Sequence, residues 1–369
     1  MTAIRTYELE MDPSDLRWFA SHLGTDRCFP AELRIGGDRW PVWMGYRGRF
    51  SRWCDKPSYD LWFSDEDQFH GRTRLHLNAA YYDPSLLRGR FSLDLFRSLG
   101  VPTPEAWHVW LVLGGRPQGV YTAIEGVNAT WLARRGITGS PIYYGVGRHG
   151  NFGLMDMRTG KPKRDLARGY EKCYPFDDDF SDLKALIQAI SLPDDPEFEA
   201  GIDTVVDVEN FLCWLAGIVF TSHTDGLVQN YALFKAADGR WQISPWDCDG
   251  TLGRCPDGHR LPADHMDLGG GGGNYLAARL LATPRWRRSY VSLWESLLEK
   301  EFRREVLEAR LHALFASIRE AALQDQMKGY ANSTFLREPV RIRTYFAERT
   351  AFLRQRLAAW RSDVEDRAG

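Results

Sequence analysis

The sequence lacks an apolar run long enough to cross a membrane. The closest candidate, FLCWLAGIVF at residues 211–220, has ten residues, whereas a spanning helix needs about 20. The stretch MTAIRTYELEMDPSD at the N-terminus carries acids where a secretion signal requires an apolar core. We therefore expect neither secretion nor association with a membrane.

Charge of one dominant sign is also missing. The chain has 47 Lys and Arg against 49 Asp and Glu, a formal net charge of −2. Nucleic-acid-binding proteins commonly carry a strong basic field, so no nucleic-acid partner is expected. Cysteine is sparse as well: six residues scattered over 369 do not make a disulfide framework. Reduced thiols and a cytoplasmic location follow as expectations.

The first part of the chain is rich in strand patterns. Alternating apolar residues around a Gly-Gly-Asp turn predict a hairpin within residues 31–50, and PSYDLWF predicts a strand at 57–63. A second hairpin is predicted at 107–127. Between these strands, Asp83 as a cap and Pro84 as the first helical residue predict one helix that stops at Gly100.

The pattern changes to helices after about residue 176. DVENFLCWLAGIVF, residues 207–220, is apolar on nearly all sides and predicts a buried helix. Amphipathic stretches predict several more helices from Leu276 onward. The glycine run in DLGGGGGNY, residues 267–275, predicts no regular element; it is either a substrate-binding segment or a solvated insertion, and the second is favoured. We expect an α+β protein with a strand-rich lobe at 1–130 and a mostly helical lobe at 131–369.

Three polar residues carry the functional prediction. Asp225 follows the buried helix, and Asn230 comes five positions later, just before the strand YALFK. A second strand, RWQIS, follows a strong Asp-Gly turn signal and leads to Asp247. Because a hairpin brings the chain back to where it left, Asn230 and Asp247 should lie close together, with Asp225 nearby.

This order of residues is typical of a protein-kinase catalytic centre. Mg²⁺ prefers oxygen ligands, which Asn230 and Asp247 supply, and Asp249 is a second candidate. A separate carboxylate, Asp225, would accept or orient the proton of the incoming hydroxyl. His223 either orients this loop or is simply a buried core histidine.

Longer stretches resemble a known family. VWMGYRGRFSRWCDKPSYDLWF, the helix beginning DPSLLRGRF, and the segment ending ISPWDCDGTLG are similar to CotH proteins, atypical kinases related to a spore-coat protein. The resemblance extends over nearly the whole chain. It implies a bilobal kinase-like fold, Mg²⁺ and ATP as cofactors, and phosphorylation of Ser or Thr in a protein or peptide.

The resemblance also implies roles for individual residues. Asp225 matches the catalytic aspartate, and Asn230 and Asp247 match metal ligands. The residues matched to nucleotide contacts are Lys56 and Arg47 for the phosphates and Glu125 near the adenine. Gly89 stands where an acid is expected after Arg88, so the acidic partner of Lys56 is unassigned, with Asp94 as a candidate. No G-x-G-x-x-G loop precedes Lys56.

Functions other than kinase activity are also compatible with such a fold. A kinase fold can also transfer AMP or ligate an amino acid, or serve as a non-catalytic binding module. A zinc site is not favoured, because the spacing of Cys248, Cys255, His259 and His265 departs from paired metal-ligand patterns. A hydrolase triad is not indicated, because no G-x-S-x-G motif occurs.

Overall fold

The computed structural model describes residues 4–48 and 51–366, with side chains up to residue 363. Residues 49 and 50, at the end of the first predicted hairpin, lie outside the described part. The described chain mixes strands and helices, which confirms the α+β class. No helix in these residues is long and apolar enough to cross a bilayer.

Seven strands form a closed barrel in the order β1-β2-β3-β4-β5-β7-β6. In chain order these are β1 (Arg5–Glu10), β2 (Phe29–Ile35), β3 (Asp38–Arg47), β4 (Ser58–Trp62), β5 (Arg74–Asn78), β6 (Ala106–Leu113) and β7 (Arg116–Glu125). The predicted hairpins are β2–β3 and β6–β7. Neighbouring strands run antiparallel except β1 and β6, which pair in parallel and close the barrel. Closure was not predicted, because no local pattern links strands so far apart in sequence.

Alternate residues of the barrel strands form one hydrophobic core. Tyr7 and Leu9 of β1, for example, are buried in the same cluster as Leu75 and Leu77 of β5. This two-residue period is the pattern expected of strands with one buried face. The barrel is therefore a filled core.

A second sheet has the order β11-β10-β8-β9. Its strands are β8 (Ile142–Gly145), β9 (Tyr170–Tyr174), β10 (Tyr231–Lys235) and β11 (Trp241–Pro245). The predicted hairpin is β10–β11, with Tyr231 opposite Pro245 and Gly239 at a φ of 84° in the turn. All four strands pair antiparallel.

Ten helices occur in the described residues. They are α1 (Pro13–Ser21), α2 (Arg88–Ser98), α3 (Ala129–Ala133), α4 (Ser181–Ser191), α5 (Asp195–Val205), α6 (Val208–Thr221), α7 (Tyr275–Ala282), α8 (Pro284–Glu299), α9 (Arg304–Gln324) and α10 (Asn332–Asp366). All residues of α6 are buried except Glu209 and Cys213, as its apolar sequence predicted.

The start of α2 was predicted four residues too early. Asp83 does act as a cap, but its carboxylate accepts hydrogen bonds from the backbone N–H groups of Ser85, Leu87 and Arg88. Leu86 lies between them in the left-handed region, at a φ of 57°. A left-handed residue cannot continue an α-helix, so the helix begins at Arg88.

The chain divides into two compact units. The first contains residues 1–91, 104–134 and 309–341, and the second contains 92–103, 135–308 and 342–369. The segment 309–341 thus belongs to the same unit as the barrel. The functional division at residue 130, into a nucleotide-covering lobe and a catalytic lobe, stays a prediction.

All six cysteines lie in described residues, and none is in a disulfide. Cys248 is completely buried, and burial raises the pKa of its thiol well above the ordinary value, as do the charges of Asp247 and Asp249. The reduced state of these thiols stays a prediction.

Candidate active site

Asp225 lies on a short loop directly after α6. The helix ends at Thr221, and the next residue, Ser222, adopts a left-handed conformation with a φ of 50° and turns the chain sharply. Asp225 then begins a single 3₁₀ turn, in which its carbonyl accepts a hydrogen bond from the Gln229 backbone at 3.0 Å. The Asp225 side chain is half-buried. A buried helix therefore supports a partly exposed carboxylate.

Asn230 and Asp247 lie at the open end of the β10–β11 hairpin, as predicted. The Trp246 backbone N–H donates to the Asn230 carbonyl at 3.0 Å, so the residue before Asp247 is bonded directly to Asn230. Both Asn230 and Asp247 have left-handed backbones, with φ values of 59° and 51°. Asn and Asp tolerate this conformation better than most residues. At both positions it changes the direction of the backbone where the chain enters or leaves a strand.

His223 is a buried residue that feels the charges of both carboxylates, Asp225 and Asp247. Its side chain is fully buried, and burial lowers its pKa, whereas the charges of Asp225 and Asp247 and the Trp246 backbone raise it. The ring packs so closely on Gly226 that a Cβ there would lie 2.6 Å from the ring Cδ2. His223 therefore supports the loop from inside the core.

The donors at this end of the hairpin fit a hard cation. Within residues 4–48 and 51–366, no three Asp, Glu, His or Cys side chains form a cluster that could hold a metal ion. A metal site here would instead combine the Asn230 amide with the half-buried carboxylates of Asp247 and Asp249. An all-oxygen set suits Mg²⁺ and not zinc.

The glycine run lies against the loop that carries Asp225, the candidate catalytic loop. Gly270 is buried beside Leu227, where a Cβ would lie 2.9 Å from the leucine side chain, whereas Gly271–Gly273 are exposed. Asn274 then caps α7 by accepting the Ala277 N–H at 3.0 Å, and its amide donates to the Leu227 carbonyl at 2.7 Å. The sequence favoured a solvated insertion for the glycine run, and that interpretation did not include the contacts of Gly270 and Asn274 with Leu227.

Two residues of α10 hold the start of the candidate catalytic loop. The Tyr345 hydroxyl lies 2.9 Å from both the Phe220 carbonyl and the Ser222 hydroxyl. The fully buried Arg349 donates to the Val219 carbonyl and, at 2.7 Å, to the Ala263 carbonyl. Sequence reasoning missed both, because more than 100 residues separate them from the loop and no local motif marks them.

In the barrel unit, Lys56 is completely buried and paired with Asp325. The Lys56 ammonium donates to Asp325 Oδ2 at 2.7 Å and to the Val120 carbonyl at 2.6 Å. The same carboxylate accepts the Val120 N–H at 2.9 Å. The lack of a side chain at Gly119 makes room for Asp325, because a Cβ there would lie 2.2 Å from the Asp325 carboxylate.

The candidate partner Asp94 was wrong. Asp94 forms an ion pair of 2.7 Å with Arg97 on the same helix, whereas Asp325 comes from the turn after α9. Burial lowers the pKa of Lys56, and the Asp325 charge opposes that shift. The acidic partner that the sequence left unassigned is therefore Asp325.

The other two residues matched to nucleotide contacts also lie among charges in this unit. Arg47 is 3.9 Å from the buried carboxylate of Asp60. The Glu125 carboxylate is buried, forms ion pairs with Arg72 and Arg134, and accepts the Glu105 backbone N–H at 3.2 Å. The roles of Arg47 and Glu125 at a nucleotide stay predictions.

Comparison with known proteins gives a consistent result. The family model described as CotH kinase protein matches residues 44–353. The inner spore coat protein H of Bacillus subtilis (strain 168) is 36% identical over 95% of this chain and 97% of its own length. The inner spore coat protein H-like protein of the same strain is 27% identical over 86% of this chain and 90% of its own.

Two solved structures are similar over most of the chain, at low identity. The proinflammatory kinase CtkA of Helicobacter pylori has 9% identity and a TM-score of 0.35, covering 85% of this chain and 95% of its own. The HipA, HipB and operator DNA complex of Shewanella oneidensis MR-1 has 13% identity and a TM-score of 0.36, covering 83% and 60%. The sequence matches alone decide the assignment: this chain belongs to the CotH kinase protein family.

Proposed function

We propose that this chain is a Mg²⁺- and ATP-dependent kinase that transfers the γ-phosphoryl group to Ser or Thr hydroxyls of a protein or peptide. The observation that carries the proposal is the hydrogen bond of 3.0 Å from the Trp246 backbone N–H to the Asn230 carbonyl, which holds Asn230 next to Asp247 at the open end of the hairpin. With Asn230 bonded beside Asp247, one acid is available for the acceptor hydroxyl and an oxygen set for a metal. We further propose that the chain has a bilobal kinase-like fold.

Each residue has a distinct part in this proposal. Asp225 orients the acceptor hydroxyl and takes its proton as the oxygen attacks phosphorus. Asn230 and Asp247 would hold Mg²⁺, with Asp249 as a further ligand. When bound by these residues, Mg²⁺ would supply positive charge that offsets the negative charge of the phosphate oxygens.

The proposed nucleotide contacts come from the barrel unit. Lys56 and Arg47 would bind phosphate oxygens, because ammonium and guanidinium groups pair strongly with them. Glu125 would lie near the adenine. The name of one Bacillus relative describes an inner spore coat protein, and the other is named as a protein like it. For this chain we propose a cytoplasmic location, on the basis of its unbonded cysteines.

The test is phosphate transfer from γ-labelled ATP to a Ser and Thr peptide library, with wild type and Asp225→Asn. Loss of the general base should lower turnover by about 10²- to 10⁴-fold, while Mg²⁺-ATP binding by calorimetry persists. Intact-mass analysis identifies the group added to the peptide. A mass gain of AMP or an amino acid would overturn the proposal, and so would equal turnover by Asp225→Asn.

A further inference from the structure

The loop between β8 and β9, residues 146–169, lies beside the catalytic loop. It leaves the sheet at Gly145, whose carbonyl accepts the Asn230 backbone N–H at 2.9 Å. Gly150 within it packs on the catalytic loop so closely that a Cβ there would lie 2.7 Å from the Val228 carbonyl oxygen. Residues 146–169 are called the basic loop below.

The basic loop has a charge opposite to that of the whole chain. It contains six Lys and Arg but only two Asp, although the net charge of the chain is −2. Both acids are already neutralised: Asp156 pairs with Arg168, and Asp165 lies 3.0 Å from Lys184 of α4. The remaining positive charges of the basic loop are therefore not neutralised by acids of the same loop.

Four exposed cations of the basic loop have no ion pair with any described residue. They are Arg148, Arg158, Lys161 and Arg164. A positive surface on a loop that packs against Val228, three residues after Asp225, attracts anionic groups of a partner. Because these cations are spread over 17 positions, they suit an extended partner better than a compact triphosphate.

A buried lysine gives the basic loop a fixed shape. The Lys163 ammonium donates to the His149 carbonyl at 2.6 Å and to the Asn151 side-chain oxygen at 2.9 Å. Burial lowers the pKa of Lys163 to about 8. Lys163, near the end of the basic loop, is thus hydrogen-bonded to His149 and Asn151 near its start. The four exposed cations lie on the surface of the loop.

We propose that the basic loop binds acidic side chains flanking the acceptor hydroxyl, so that the substrate is an acidic segment of a protein or peptide. This inference rests on the proposed kinase function and names its substrate class. Several weak surface pairs act together here, each of them sensitive to salt. Binding should therefore depend on the number of acids in the substrate.

The test uses the full chain with Asp225→Asn, so that binding is measured without turnover. Fluorescent peptides with one central Ser, flanked by Glu, Gln or Lys, are titrated at low and physiological salt. We expect the Glu peptide to bind about 10- to 100-fold more tightly than the Gln peptide at low salt. Arg148→Glu, Arg158→Glu, Lys161→Glu and Arg164→Glu should each reduce that preference, whereas Arg288→Glu, at an exposed position on α8, should not.

Three results would overturn the inference: equal affinity for the three peptides, loss of preference with Arg288→Glu, or charge reversals that weaken Mg²⁺-ATP binding instead. Stronger competition by an oligonucleotide than by the Glu peptide would assign the surface to nucleic acid. The wild-type chain separates the two proposals. Phosphate transfer without preference for acidic flanks rejects the inference alone, whereas tight binding of the Glu peptide without any transfer rejects the kinase function.

Discussion

The Lys56 ammonium and the Asp325 carboxylate form an ion pair of 2.7 Å between residues 269 positions apart in sequence. The carboxylate also accepts backbone N–H groups of Val120, Met327 and Lys328. Because both charged groups are buried, each depends on the other for compensation of its lost hydration. The pair therefore links the turn after α9 to the barrel.

Breaking this pair should be strongly destabilising. Asp325→Asn leaves a buried ammonium without its counter-charge, which costs about 3–5 kcal/mol in the free energy of unfolding. Lys56→Met leaves a buried carboxylate and should cost a similar amount. Denaturant unfolding of the two single variants and the double variant measures the coupling energy between Lys56 and Asp325. The double variant should be destabilised by less than the sum of the two single-variant losses.

The matched control is the Arg97–Asp94 pair, which has the same 2.7 Å distance but is partly exposed. Asp94→Asn should cost less than about 1 kcal/mol. If Asp325→Asn cost no more than Asp94→Asn, the buried pair would not hold the unit together.

Asp247→Asn should weaken Mg²⁺-dependent ATP binding. Asn keeps the shape and tolerates the left-handed backbone at this position, so the variant removes mainly the charge of a metal ligand. We expect an affinity loss of about 10- to 100-fold or more by calorimetry. Asp249→Asn, measured in the same way, shows which carboxylate is the main ligand.

Asp238→Asn makes the same chemical change at the other end of the hairpin. Asp238 is exposed and bonded to Arg240 in the turn, so ATP binding should not change. Unaltered Mg²⁺-ATP affinity in both Asp247→Asn and Asp249→Asn would contradict the metal site.

Asn274 offers a way to separate helix capping from support of the catalytic loop. Asn274→Asp keeps an oxygen for the Ala277 N–H but removes the amide that donates to the Leu227 carbonyl. Asn274→Ala removes both and should also cost about 1 kcal/mol of stability for the lost cap. Both variants should reduce kcat by roughly tenfold, the equivalent of one lost hydrogen bond. A normal kcat in Asn274→Asp would show that the loop does not need this contact.

Stability should fall as pH decreases below about 6.5, partly because of His108. This ring is buried, Nε2 lies 2.9 Å from the Leu86 carbonyl, and Nδ1 lies 3.4 Å from Arg90. Burial and the Arg90 charge lower its pKa to about 3. The unfolded chain therefore takes up a proton between pH 6.5 and 3 that the folded chain does not, so unfolding is favoured in that window.

His108→Gln removes the titration while retaining groups for both hydrogen bonds. Between pH 7.5 and 5, the loss of unfolding free energy should be smaller in the variant by about 2 kcal/mol. Denaturant titrations at the two pH values measure this difference. An identical pH dependence in wild type and variant would mean that His108 is protonated in the folded protein.

Local patterns were sufficient to predict the convergence of Asn230 and Asp247. The Asp-Gly turn specifies a hairpin, and a hairpin brings its two ends together whatever the rest of the fold does. The start of α2 was misjudged because one left-handed residue, Leu86, separates the cap from the helix. Backbone reversals of that kind leave little trace in a non-glycine sequence.

Contacts between distant segments could not be predicted. Asp325 has no motif around it that marks a partner for Lys56, and the two meet only because α9 ends beside the barrel strand that contains Val120. The contacts of the glycine run with Leu227 depend in the same way on how separate segments pack. Such pairs follow from tertiary packing, which a single sequence does not encode locally.

The long reach of α10 has a consequence for the order in which the protein becomes functional during synthesis. Tyr345 bonds Ser222 across 123 positions, and Arg349 bonds Val219 across 130. After a ribosome has incorporated Asp225, it must also synthesise the chain as far as Tyr345 and Arg349 before these hydrogen bonds can form. The loop that carries Asp225 therefore lacks these two contacts until the corresponding part of α10 has been synthesised.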